Sequence, residues 1–258
     1  MIDTPLIDIV VFAFGLVVGS FLNVVIYRLP RDQSIVKPRS HCTHCNHQLA
    51  AWENIPLLSY LILRGRCHQC KTRISSRYPF IEALMGILLI LSFHRYGFTL
   101  DFFFFSAFIA IVLVITFIDL DFQIIPNELL LIALIPGFYP LVRDGFAQGS
   151  VYLIGLFGLG LAFLLIAKLG TLVFKKESMG MGDVKYAALI GLLLGWPGGL
   201  VATALAFLIA ALILIILMPL GRVGFGQRIP FGPFLSIGAL LTIFWGSEII
   251  TWYLHLVY

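Results

Sequence analysis

The sequence predicts an all-α polytopic membrane protein of about eight transmembrane helices, with a small cytoplasmic zinc-knuckle loop domain. Three observations carry this expectation. Of 258 residues, 60% are hydrophobic and 12% charged, and mean hydropathy is +1.01. No soluble domain of this size needs so much apolar surface. The apolar residues fall into separate runs divided by polar or Gly/Pro-rich breaks. One polar segment, residues 28–79, holds all four cysteines and a concentration of arginine and lysine.

The runs place spans at 6–27, 80–96, 101–118, 128–142, 150–173, 184–196, 199–218 and 233–254. The chain starts with Asp3 and Asp8 instead of a basic region, and no A-x-A site precedes Arg28. Residues 6–27 are therefore expected as a retained first span, not a cleaved signal. The expected division is 1–27 as first span, 28–79 as loop domain and 80–258 as polytopic domain. Runs 128–142 and 184–196 are short for about 30 Å of hydrocarbon, which implies less tilt, local thinning or burial against neighbours. Gly155, Gly158 and Gly160 share one run, and Gly191 and Gly195 form a GxxxG, a pattern that predicts close helix packing.

Charge sets the orientation. Arg28, Arg31, Lys37, Arg39, Arg64, Arg66, Lys71, Arg73 and Arg77 mark residues 28–79 as cytoplasmic under the positive-inside rule. The net charge of +4 needs no nucleic-acid partner to explain it. Alternating spans bring Asp119, Asp121, Lys168, Lys175, Lys176, Asp183, Lys185, Arg222 and Arg228 to the same side. Of 17 Lys and Arg, only Arg95 and Arg143 fall outside. Both termini are then external.

The cysteines form two C-x-x-C pairs, Cys42/Cys45 and Cys67/Cys70, with 21 residues between them. Four thiolates converging on one ion give the closed, tetrahedral pattern of structural zinc. A cytoplasmic loop disfavours disulfides, although two disulfides or free thiols remain alternatives. The loop has few large apolar residues beyond Trp52, Ile55, Leu57, Leu58, Tyr60 and Leu61, so it needs a staple. Zinc supplies on the order of 10 kcal/mol in small Cys-rich units. His41, His44, His47 and His68 flank the knuckles and are read as solvated or supporting groups.

Two aspartates sit at run ends. Asp119 closes one run, and Asp183 follows Gly180-Met181-Gly182 before another. A carboxylate near the hydrocarbon boundary costs a few kcal/mol unless paired or wet. Singly, Asp183 reads as a helix N-cap and Asp119 as an interfacial residue. Together, on one face, they fit an acid/base pair in which one carboxylate activates water and its protonated partner polarises a carbonyl. Asp121 falls two residues after Asp119 and would face away on a helix, so it is given a supporting role. Gly180, Gly182 and Lys185 are the other supporting residues of this motif. No Ser-His-Asp set and no HExxH competes. A proton- or cation-coupled transporter, or a non-catalytic zinc-knuckle scaffold, are the alternatives.

Several motifs in order resemble the type IV prepilin peptidases, bacterial inner-membrane aspartic peptidases with a GxGD motif. They are Gly19-Ser20-Phe21-Leu22-Asn23 with Arg28-Leu29-Pro30, both C-x-x-C pairs, Trp52-Glu53-Asn54-Ile55-Pro56, Arg77-Tyr78-Pro79 with Glu82, Ile118-Asp119 with Pro126-Asn127, Gly180-Met181-Gly182-Asp183, and Pro230-Phe231-Gly232-Pro233. The resemblance implies cleavage of the basic leader from prepilins and type II secretion pseudopilins, then methylation of the new N-terminus from S-adenosylmethionine. Asp119 and Asp183 map onto that family's catalytic pair. Asn127 stands where many members carry Asp, which argues against an essential carboxylate there. Pro230, Phe231, Gly232 and Pro233 are expected to help bind the extended substrate. Glu53, Asn54 and Glu82 are the methyl-transfer candidates, with loop organisation as their other reading.

Overall fold

The computed structural model describes residues 4–176, 178–222, 224 and 229–257. Arg228 and part of the 219–232 loop lie outside the described residues. The chain forms two compact units, Met1–Val114 and Ile115–Tyr258.

In the first unit, α1 (Thr4–Arg28) runs from the N-terminus into the polar loop. The loop contains a 3-10 turn at Ala51–Asn54 and the short helix α2 (Leu58–Ile62). Helix α3 (Arg77–Tyr96) then returns antiparallel to α1, and the first part of α4 (Leu100–Phe122) completes the unit. The α1–α3 contact is close because Gly15 meets Gly86: a Cβ on Gly15 would lie 2.6 Å from the Gly86 Cα. At the end away from the loop, His94 Nε2 lies 3.1 Å from Asp8 Oδ1. Arg95 stands beside it in sequence, at the end opposite the loop's arginines. The α3–α4 corner buries the Ser92–Ser106 hydroxyl pair, 2.9 Å apart, and stacks Tyr96 on Phe105.

The second unit comprises the end of α4, α5 (Asn127–Phe174), α6 (Met181–Leu217) and α7 (Gly232–Val257). Helix α6 has 37 residues, about 55 Å if straight, against about 30 Å of hydrocarbon. It is not straight. Gly195 has φ of +69°, which a side chain would disfavour, and Pro197 follows two residues later. The chain reverses there, because a Cβ on Gly199 would lie 3.2 Å from the Gly191 Cα. Helix α5 breaks the same way at Gly145, with φ of +75°. The Tyr152 hydroxyl then donates back across that break to Asp144.

Six helices among the described residues are long and apolar enough to cross a membrane. The chain is a multi-pass membrane protein. The expected eight runs are all helical, but run 128–142 is not among the six, and runs 184–196 and 199–218 share α6. The GxxxG reading of close packing holds for both glycines, since a Cβ on Gly155 would lie 2.9 Å from the Gly195 carbonyl carbon as well as against Gly191. Gly191 packs against Gly155 so tightly that a Cβ on either would strike the other's carbonyl, and Gly195 serves the reversal in addition. With α5 and α6 each folded back, the end of α4 and the starts of α5, α6 and α7 gather at one end of the unit.

Candidate functional site: paired aspartates and a four-thiol cage

Asp119 sits in the last turn of α4 and is only 4% exposed. The helix ends just beyond it, at Gln123, whose φ is +55°. The N–H of Gly232, at the start of α7, donates to Asp119 Oδ2 at 2.9 Å. This approach requires glycine: a Cβ on Gly232 would lie 2.6 Å from Asp119 Oδ2 and 3.2 Å from Cγ. Gly232 therefore lies against Asp119, where the sequence had suggested a substrate contact. Phe231 beside it packs with Phe163, Phe207 and Phe234. That cluster anchors the α7 start. Pro230 is half-buried and Pro233 buried at the same turn.

Asp183 is the third residue of α6, not its N-cap, which is Gly180. Its carboxylate accepts the Gly180 N–H, and it lies close enough to Asp119 for the two carboxylates to repel. Gly182 packs on Ile125, with room for a Cβ only 3.0 Å from the Ile125 Cβ. Lys185 Nζ donates to Asn127 Oδ1 at 2.8 Å. These two contacts clamp the GxGD turn onto the linker after α4. Below the pair, the buried Tyr186 and Ser236 hydroxyls lie 2.9 Å apart and join α6 to α7. Asp121 is exposed. Asp119 and Asp183 are thus brought within electrostatic range of each other at one end of the unit.

In the polar loop the four thiols converge. Their Sγ atoms all lie within 4.8 Å of one another. Cys42 and Cys70 are 3.8 Å apart, and Cys45 and Cys67 are 3.9 Å apart. Tetrahedral coordination at about 2.3 Å places sulfurs about 3.8 Å apart, so the cage fits a four-coordinate metal ion. None of the four is in a disulfide. The two knuckles repeat one backbone pattern. Cys42 N–H bonds His47 O and Cys67 N–H bonds Thr72 O, both at 2.9 Å. Each adds a residue with positive φ, Asn46 and Lys71, and a single antiparallel bridge, His41 with Gln48 and Arg66 with Arg73. The Thr72 hydroxyl and N–H pull the Cys70 thiol down to about 6. Cys45 gains a favourable backbone bond from His47, but burial and the neighbouring sulfurs push it up to about 12. Four crowded sulfurs cannot all ionise without a cation among them.

Glu53 is buried beneath the knuckles. Its Oε2 accepts from Ala50 N–H at 2.7 Å and from His47 Nε2 at 3.0 Å. The Ala50 N–H, then the His47 ring, hold the Glu53 carboxyl below its ordinary value despite burial. His68 Nδ1 stands 3.6 Å from Oε1. Glu82, buried on α3, accepts the Leu57 N–H at 2.9 Å. Leu57 needs that anchor, since its φ is +58° and Leu58 N–H closes onto Pro56 O at 2.6 Å, a strained γ-turn. Asn54 is exposed. Glu82 with Leu57, and the Arg28 guanidinium at the end of α1 with Ser34 O and Pro38 O at 2.9 and 2.8 Å, tie the loop to the spans, while Asn23 Nδ2 donating to Tyr78 O at 3.1 Å joins α1 to the start of α3.

Residues 13–96 match the model of the bacterial peptidase A24 N-terminal domain, and residues 106–215 match that of the type IV leader peptidase family. Three curated relatives carry the name prepilin leader peptidase/N-methyltransferase. The one from Legionella pneumophila is 37% identical, covering 95% of this chain and 94% of its own. That from Aeromonas hydrophila is 36% identical over 95% and 92%. That from Pseudomonas aeruginosa is 34% identical over 93% and 91%. No solved structure matches the chain.

Proposed function

This chain belongs to the type IV leader peptidase family, and we propose that it cleaves prepilin leaders and then methylates the exposed N-terminus. The observation that carries the peptidase half is the meeting of Asp119 and Asp183 at one end of the Ile115–Tyr258 unit. One carboxylate, ionised, takes a proton from water, and the water oxygen attacks the scissile carbonyl carbon. The other, protonated, donates to the carbonyl oxygen. Collapse of the tetrahedral intermediate breaks the C–N bond, and a carboxyl proton passes to the leaving nitrogen. The Gly232 N–H holds Asp119 in place through both steps, and the Lys185–Asn127 bond holds the turn that carries Asp183.

The two aspartates, the GxGD turn and residues 230–233 are assigned to the cytoplasmic face of the bacterial inner membrane, together with the 28–79 loop. A basic leader stays in the cytoplasm while the apolar pilin stem lies in the bilayer. The bond to be cut then sits beside the pair. Pseudopilins of type II secretion share this layout and are included as substrates. We assign residues 80–258 to cleavage and the loop, on the first span, to methyl transfer.

The metal is zinc, held by Cys42, Cys45, Cys67 and Cys70 as a structural ion, because four thiolates without an open position suit that metal. The methyl donor is S-adenosylmethionine, which supplies an electrophilic methyl carbon when bound. Transporter and scaffold readings are not favoured, given relatives named as peptidases over most of the chain. The test is to incubate purified protein in proteoliposomes with a prepilin and S-adenosylmethionine and to read the product by intact mass. Loss of the leader plus gain of one methyl group is expected. An uncut prepilin would refute the first half, and a cut, unmethylated pilin the second.

A further inference from the structure

A groove of about 570 Å³ lies within the Met1–Val114 unit, between α1 and the polar loop. Val17, Phe21 and Val24, spaced to share one face of α1, form one wall. Ile35, Val36 and Pro38 of the loop form part of the other. Val17, Phe21, Ile35 and Val36 are all exposed. Helix α1 is long and apolar enough to cross the membrane, so its wall of the groove stands at hydrocarbon depth. At the loop end the lining turns basic. Arg28 and Arg39 are its charged residues, and no carboxylate lines it among the described residues.

Arg28 is the side chain that calls for an anion. It is only 7% exposed, and its guanidinium donates to two neutral carbonyls, Ser34 O and Pro38 O. Among the described residues no carboxylate pairs with it. A buried cation held only by neutral groups keeps much of its desolvation cost, which a neighbouring anion offsets. The length of the groove says what carries that anion. From Val17 to Arg28 the helix rises about 16 Å, close to one leaflet's share, about 15 Å, of the hydrocarbon core. An apolar chain of that length ending in an anionic head is a phospholipid.

We propose that this groove binds one anionic phospholipid of the surrounding membrane, with an acyl chain along Val17, Phe21 and Val24 and the headgroup phosphate between Arg28 and Arg39. Basic pockets beside membrane helices bind such headgroups. A cationic ligand does not suit the groove, because two arginines would repel it. The lipid fills the space between the loop and the first span.

The test is native mass spectrometry of the full chain released from detergent, titrated with phosphatidylglycerol or with phosphatidylcholine. One phosphatidylglycerol is expected to stay bound, at least tenfold more tightly than phosphatidylcholine. Arg39→Glu reverses an exposed charge, and Ala51→Trp fills the groove from its loop side. Each is expected to weaken retention at least tenfold, with thermal melting and zinc content reporting folding. Equal retention of the two lipids, or wild-type retention in both folded variants, would overturn the site. Displacement by millimolar inorganic phosphate would mark a free-anion site and overturn it as well. So would a dimer mass lost in both variants, which would make the groove a contact between copies. A phosphatidylglycerol with a photoreactive acyl chain reads the wild type alone. Labelling within residues 17–24 or 35–51 is expected, and labelling confined to other segments would contradict the proposal.

Discussion

Replacing Gly232 by alanine isolates the contact between α7 and Asp119. The new Cβ would lie 2.6 Å from Oδ2, 3.2 Å from Cγ and 3.4 Å from Cβ of Asp119. Carbon and oxygen need about 3.3 Å, so the carboxylate or the α7 start must move by about 0.7 Å. That displacement breaks the 2.9 Å bond from Gly232 N–H. A hydrogen bond to a charged group contributes about 1.5–3 kcal/mol, and each 1.4 kcal/mol is tenfold in rate. Expected in a prepilin cleavage assay is therefore a fall in kcat of about 10- to 150-fold, with KM nearly unchanged. Gly149→Ala is the matched control, because its Cβ would make ordinary 3.4 Å contact with Leu141. A raised KM with normal kcat would instead return Gly232 to substrate binding. Wild-type kinetics would refute the placement of Asp119 by α7.

Gly155→Leu should lower the melting temperature by many degrees or prevent folding, since no Cβ fits against Gly191; a melt within a degree or two of wild type would contradict the packing. Lys185→Met removes an exposed bond to Asn127, worth about 1 kcal/mol or less, so kcat should fall no more than about fivefold in steady-state assays. Glu53 has a depressed folded pKa, so its contribution to stability is present above its unfolded value, about 4.3, and is lost as pH falls through the folded one. The gap in melting temperature between wild type and Glu53→Gln should then stay constant above about pH 5 and shrink below about pH 4; a gap that grows on acidification would reverse that sign.

The apolar runs and the cysteine spacing were legible because each is a local signal. A helix announces itself by composition, and two C-x-x-C pairs announce a cage whatever the fold around them. The reversals at Gly145 and Gly195 fall at or between the ends where the runs were divided, 142 to 150 and 196 to 199, but which glycine turns the chain was less legible. Gly191 and Gly195 look alike in a GxxxG, and only a backbone φ marks the one that also turns the chain. Trp196-Pro197 was the available clue, since a proline two residues on resists helix continuation. The hydrogen-bond donor to Asp119 was not legible at all. Gly232 is 113 residues away, and no local pattern distinguishes a glycine pressed against a carboxylate from one in a substrate loop. The burial of Glu53 was hidden for a similar reason: a carboxylate in a polar loop reads as solvated until the fold closes over it.

The central claim is that Asp119 and Asp183 act as one unit. Leader cleavage in reconstituted membranes by Asp119→Asn, Asp183→Asn and Asp121→Asn tests it most directly, because the amide keeps the shape and removes the proton transfer. Loss of at least a thousandfold in the first two, with Asp121→Asn within tenfold of wild type and all three expressed normally, is the predicted result. Cleavage retained in either Asp119→Asn or Asp183→Asn would contradict it.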